Sequence, residues 1–133
     1  MENKTICLVD DEDVFHWIVR ENLKKMEGAY DFISFYNGDE ILEYLSESGN
    51  TIPDILLLDL NMPICGGWKF LDSFKEMSPE FKNGITIYIV SSSIDPKDQD
   101  RANEYSEVSA FVSKPITRDF LERILGSSLS EIN

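Results

Sequence analysis

The chain has 133 residues and a formal net charge of −13, from 25 acidic against 12 basic side chains; that is the size of one domain with room for a single sizeable core. Hydrophobic residues at 42% and charged residues at 28% form an ordinary globular balance and exclude a disordered chain. The acidity argues against nucleic acid, which is recognised through clustered Lys and Arg, and against anionic membrane surfaces, and leaves basic proteins and divalent cations as partners.

Short apolar runs alternate with longer amphipathic stretches. Thr5 to Val9 reads as the first strand, with Cys7 as a small core thiol. Val14, Phe15, Ile18, Val19, Leu23 and Met26 recur at helical spacing, and Gly28 marks the stop. Tyr30 to Tyr36 is an aromatic-rich second strand. Asn37 caps a second helix, with Glu40 reaching back and Ile41, Leu42 and Leu45 on its buried face. Asn50 to Pro53 breaks it before the third strand, Ile55 to Leu58. Trp68, Phe70, Leu71, Phe74 and Met77 form a third helix, which Pro79 should end. Ile85 to Val90 is the fourth strand. Asp95-Pro96 opens a fourth helix, because Asp caps and Pro is tolerated at the first helical position. That helix has only Ala102 and Tyr105 as plausible buried anchors. Val108 to Val112 is the fifth strand, and Ile116, Phe120, Leu121, Ile124 and Leu125 line a fifth helix ending near Leu129.

Five strands alternating with five helices predict an α/β, flavodoxin-like doubly wound sheet with all strands parallel and helices on both faces. Its spatial order, 2-1-3-4-5, comes not from periodicity but from the handedness of parallel crossovers and from the convergence of the polar strand ends. The third strand is apolar at every position, as a strand covered on both faces should be. The strands end in Asp10-Asp11-Glu12-Asp13, Asp59, Ser91-Ser92-Ser93 and Ser113-Lys114-Pro115. In a parallel sheet these ends share one edge, and ligands bind there where the strand order reverses, between strands one and three. Asp10, Asp11 and Asp59 should converge. Three carboxylates in one crevice either take up a proton or hold a cation. Oxygen ligands alone suit a hard ion such as Mg²⁺ rather than zinc. With Lys114 and a serine hydroxyl the set fits a phosphoryl group, which an aspartate can itself accept as an acyl phosphate.

Val9-Asp10-Asp11-Glu12, Asp59-Leu60-Asn61-Met62-Pro63 with Gly66-Gly67, Val90-Ser91-Ser92 and Lys114-Pro115 together resemble the receiver domains of two-component response regulators, in their stand-alone chemotaxis-type form, over nearly the whole chain. The resemblance implies that Asp59 accepts phosphate from a histidine kinase or histidine phosphotransfer protein. It implies that Asp11, Asp59 and the backbone carbonyl of Asn61 hold Mg²⁺ (or Mn²⁺), with Asp10 assisting through water. It further implies that Lys114 contacts the phosphoryl oxygens, that Phe111 is the aromatic switch position, and that the Lys114–Pro115 peptide is cis. Matching the strand end picks Ser91 as the switch hydroxyl, and counting back from Lys114 picks Ser92; Ser91 is preferred because strand ends are better anchored than helix lengths. One departure is Gly66, where the family carries an acidic residue, so that loop is expected to be more mobile.

The rest follows as expectation. Residues 1–133 form a single receiver domain with no output domain, monomeric and cytoplasmic: no signal peptide, no span of ~20 apolar residues and no disulfide ladder is present. Phosphorylation should draw Ser91 toward the phosphate, shift the fourth helix and turn Phe111 inward, so that the fourth helix, fifth strand and fifth helix present a face to a downstream protein. His16 carries a structural or surface role. Among rivals, an aspartate-nucleophile phosphohydrolase needs an acid where Asn61 stands. A flavin site would meet repulsion from Asp10 to Asp13, and a phosphorylation-independent interaction module of the same fold is the alternative function.

Overall fold

All four residues of β3, Ile55–Leu58, are buried. Consecutive apolar side chains point to opposite faces of a strand, so such a run is stable only where both faces are covered. The computed structural model places it so, and describes residues 4–132 apart from the side chains of residues 80 and 126–132. Five parallel strands, β1 (Lys4–Val9), β2 (Tyr30–Phe35), β3, β4 (Thr86–Ser91) and β5 (Val108–Ser113), form one sheet in the order β2-β1-β3-β4-β5. This is the flavodoxin-like order expected from crossover handedness and the convergence of the polar strand ends. The helices are α1 (Asp13–Lys24), α2 (Gly38–Ser46), α3 (Gly67–Phe74), α4 (Pro79–Asn83), α5 (Pro96–Ala102) and α6 (Arg118–Ile132).

The strands divide their side chains between two cores. Cys7, Val9, Leu56, Leu58, Ile87 and Ile89 pack with α2, α3 and Ala102 of α5. Ile6, Leu8, Ile55, Leu57 and Val90 pack with Phe15, Val19 and Leu23 of α1 and Leu121 and Leu125 of α6. The outer strands β2 and β5 are only partly buried, as edge strands should be.

Capping follows the sequence at two helices. The Asn37 side chain accepts from the Glu40 amide (2.9 Å), and the Asp95 side chain accepts from the Lys97 amide (3.0 Å). Glu40 reaches back one residue further than a capping box, accepting from the Tyr36 amide at 2.7 Å.

Three expectations are corrected. Val14 is 68% exposed rather than on the buried stripe of α1, because that stripe runs through Phe15, His16, Val19 and Leu23, and Val14, one residue before Phe15 and so about 100° round the helix from it, points to the solvent side. Pro79 does not end the third helix, which stops at Phe74; it opens the additional short helix α4, where proline's missing amide costs nothing. The last helix runs to Ile132, beyond the expected stop near Leu129. The helix numbered fourth from sequence is therefore α5, and the fifth is α6.

Candidate phosphoryl-acceptor site

Strand register brings the polar residues together. The Asp59 amide donates to the Val9 carbonyl (2.9 Å), which continues the β1–β3 ladder one step past the apolar run and sets Asp59 beside Asp10. The Asp10 amide donates to Phe35 O of β2 (3.1 Å), and the Lys114 amide to Ser91 O of β4 (2.9 Å). Each carboxylate of Asp10, Asp11 and Asp59 has an oxygen within 4.8 Å of the other two. Asp10 and Asp59 are buried and Asp11 is exposed, so the cluster opens to solvent on one side.

The Lys114 ammonium lies 2.7 Å from Asp10 Oδ2, 3.1 Å from Glu12 Oε1 and 3.8 Å from Asp59 Oδ1, and 4.5 Å above the Phe15 ring. Asp10 Oδ1 accepts from the Glu12 amide at 2.9 Å. One ammonium does not neutralise three carboxylates. Burial, then the charge of Asp10, pushes Asp59 up to about 7; Lys114 opposes the shift and Asp11 adds to it. For Lys114, burial works against the charged form, but the hydrogen bond to Asp10 and the charges of Asp59 and Asp10 outweigh it and hold the ammonium above its ordinary range.

Of the residues singled out by sequence, Asp10, Asp11, Asp59 and Lys114 are thus gathered at one point. Ser91 is the fully buried last residue of β4, its hydroxyl accepting from the Ser93 amide at 3.0 Å, while Ser92 is exposed. Asn61 is exposed two residues past Asp59. Phe111 is half-buried opposite Ile89, against the core under α2, α3 and α5. The Lys114–Pro115 peptide is cis. Sequence reading missed the parts played by Glu12 and Phe15 at Lys114. The acidic quartet was the signal for Glu12; Phe15 gave none, because it reads equally well as core.

The loop after β3 is tied down rather than loosened by its glycines. The Gly67 amide donates to Leu60 O (3.0 Å) and the Gly38 amide to Cys65 O (2.8 Å). A Cβ on Gly66 would stand 2.9 Å from Leu60 O, and one on Gly67 2.7 Å from Asp59 O. Glycine is there because two backbones meet. The next residue, Trp68, stacks on Tyr105 (5.8 Å between ring centroids) and lies beneath the Arg101 guanidinium (4.5 Å). The Tyr105 hydroxyl donates to Asp72 Oδ1 at 2.7 Å. Because α5 buries only Ala102 of its own residues, this cluster is its principal tie to α3.

Comparison with known proteins decides the family: residues 6–125 match the response regulator receiver domain. The chain belongs to that family. This receiver domain superposes on a two-component response regulator from Cytophaga hutchinsonii with a TM-score of 0.84, at 28% identity over 98% of this chain and 99% of that one. It superposes on the Mn²⁺-bound form of the response regulator Rcp1 with a TM-score of 0.76, at 25% identity over 92% and 90% of the two chains. It is also 28% identical over 124 residues to the sensor histidine kinase CheAY of Helicobacter pylori, covering 93% of this chain but only 15% of the kinase's length. The receiver domain is a phosphorylation-dependent response-regulator switch, a signalling domain rather than a turnover enzyme. Among the described residues no helix is long and apolar enough to cross a membrane.

Proposed function

We propose that Asp59 is the phospho-acceptor and that the carboxylate cluster with Lys114 is the site at which the switch is thrown. The gathering of Asp10, Asp11, Asp59 and the Lys114 ammonium on one sheet edge supports this reading. An ionised oxygen of Asp59 attacks the phosphorus of a phosphohistidine. An O–P bond forms, the N–P bond breaks, and the electron pair leaves with the imidazole. Lys114, 3.8 Å from Asp59 Oδ1, pairs with the charge that arrives on that side, and Ser91 supplies the hydroxyl.

The cluster fits a hard divalent ion. Its donors are all carboxylate oxygens, the ligands a hard ion prefers, and they lie within 4.8 Å of one another; binding one Mg²⁺ would bring every pair to within roughly 4.2 Å. Asp11, Asp59 and the Asn61 carbonyl would hold Mg²⁺ (or Mn²⁺), with Asp10 assisting. When bound, the ion supplies the charge that keeps Asp59 ionised and neutralises phosphoryl oxygens.

The donor is a histidine kinase or histidine phosphotransfer protein, and a small donor such as acetyl phosphate suffices for slow self-phosphorylation, with slow hydrolysis restoring Asp59. The output face is α5, β5 and α6. Ser91, Phe111 and the lightly anchored α5 form its moving parts, and Ile94, 95% exposed just before α5, adds apolar surface to it. The net charge of −13 disfavours self-association, in keeping with a monomer, and the unpaired Cys7 and Cys65 fit the cytoplasm.

Acetyl phosphate with Mg²⁺, followed by intact mass, tests the assignment. One phosphoryl group on the wild type, lost on chelation of Mg²⁺ before the reaction and absent from Asp59→Asn, is expected. A mass gain that Asp59→Asn retains would overturn it.

A further inference from the structure

We infer that His16 is a positioning residue for the metal-binding acids, acting through the Asp10 carbonyl. This rests on the reading of Asp10, Asp11 and Asp59 as the ion's ligands. His16 is 3% exposed, and its Nε2 lies 2.6 Å from Asp10 O. A carbonyl only accepts, so Nε2 carries the proton and donates. Asp10 O and the Asp11 amide belong to one rigid peptide plane. Fixing that oxygen fixes the torsions on both sides of the plane, and so the directions in which the Asp10 and Asp11 carboxylates leave the chain.

Two other polar atoms of Asp10 are hydrogen-bonded, its amide to Phe35 O at 3.1 Å and Oδ1 to the Glu12 amide at 2.9 Å, while Oδ2 forms an ion pair with the Lys114 ammonium at 2.7 Å. His16 supplies the contact to the peptide between the two acids. The ring is itself oriented from outside α1. It stacks flat on Tyr36, with centroids 4.4 Å apart and planes 8° from parallel. The Tyr36 hydroxyl donates to Asp13 Oδ1 at 2.6 Å, and the Tyr36 amide is held by Glu40. Nδ1 of the same imidazole is buried and has no hydrogen-bond partner among the described residues. An apolar side chain would fill this space with no orphaned nitrogen, so what distinguishes histidine here is the Nε2 donor.

His16→Gln and His16→Met separate donation from packing. The two side chains match in length, both lose the stack on Tyr36, and only Gln can donate to Asp10 O. Mg²⁺ titration of the unphosphorylated protein by calorimetry, together with the Asp11 amide resonance in metal-free protein, reads the effect. The expected result is roughly tenfold weaker Mg²⁺ binding in His16→Met, with a displaced Asp11 resonance, and binding within about threefold of wild type in His16→Gln. Phosphorylation of His16→Met by acetyl phosphate then recovers at saturating Mg²⁺. Equal Mg²⁺ affinity in the two variants overturns the inference alone. A wild type that takes up no Mg²⁺ overturns the ligand assignment and the inference with it.

Discussion

Asp59 carries the most consequential charge in the molecule, and its environment makes a signed prediction. Folding raises its pKa from the ordinary 3.8 to about 7, so between those values the folded chain holds a proton that the unfolded chain has released. The stability it contributes is therefore greatest below about pH 4 and is lost progressively as pH rises to about 7. Without Mg²⁺, Asp59→Asn should raise Tm by roughly 3–6 °C at about pH 8 and change it little near pH 5. Parallel melting curves for wild type and variant across that range would contradict the assignment of the strain to Asp59. Lys114 predicts the opposite sign. Removing it in Lys114→Met leaves buried Asp10 uncompensated and should cost roughly 2 kcal/mol at about pH 8 in a denaturant titration, less near pH 5 where Asp59 is protonated. These residues were legible in the sequence because each follows directly on an apolar strand. The meeting of Glu12 and Lys114 across 102 residues was not, since no local pattern says which of many polar groups will meet.

At the level of elements, the N-terminus of α3 joins Asp59 to α5 and the turn that follows it. Asp59 and Leu60 are packed against Gly66 and Gly67, and Trp68 follows at once with Tyr105 and Arg101 on its faces. Gly67→Ala should displace Asp59 and cost about 1–3 kcal/mol, because its Cβ meets fixed backbone at 2.7 Å. Tyr105→Phe removes the hydrogen bond to Asp72 and should cost about 1 kcal/mol. In hydrogen exchange, Tyr105→Phe should accelerate the amides of α5 while leaving β1 and β3 as slow as in the wild type. Uniform acceleration would show that α5 is not a separately mobile element. The scarcity of apolar residues in α5 was visible in the sequence, and Ala102 and Tyr105 are the anchors it indicated. The stack on Trp68 was not visible, because Trp68 reads as an ordinary core position of α3. Nor was α4, a single turn with no apolar period to announce it.

Over the whole molecule, the parallel sheet followed from alternation, and its order from handedness and the site. Five apolar runs separated by amphipathic stretches leave few topologies, and the handedness of parallel crossovers leaves fewer. The unbroken Ile55-Leu56-Leu57-Leu58 run placed β3 at the centre, and the sheet order then fixed Asp10 beside Asp59. What sequence could not supply is the side-chain geometry around that pair, the carbonyl that His16 holds and the loop that the Gly67 and Gly38 amides pin. Those depend on distances between segments remote in the chain. The central assignment, an acyl phosphate on Asp59, is tested most directly by borohydride reduction of the phosphorylated protein followed by peptide mapping. The expected product is homoserine at position 59, with Asp10 and Asp11 unaltered. Phosphate that survives reduction on Ser91, Ser92 or Ser93, or a reduced residue at position 10 or 11, would contradict it.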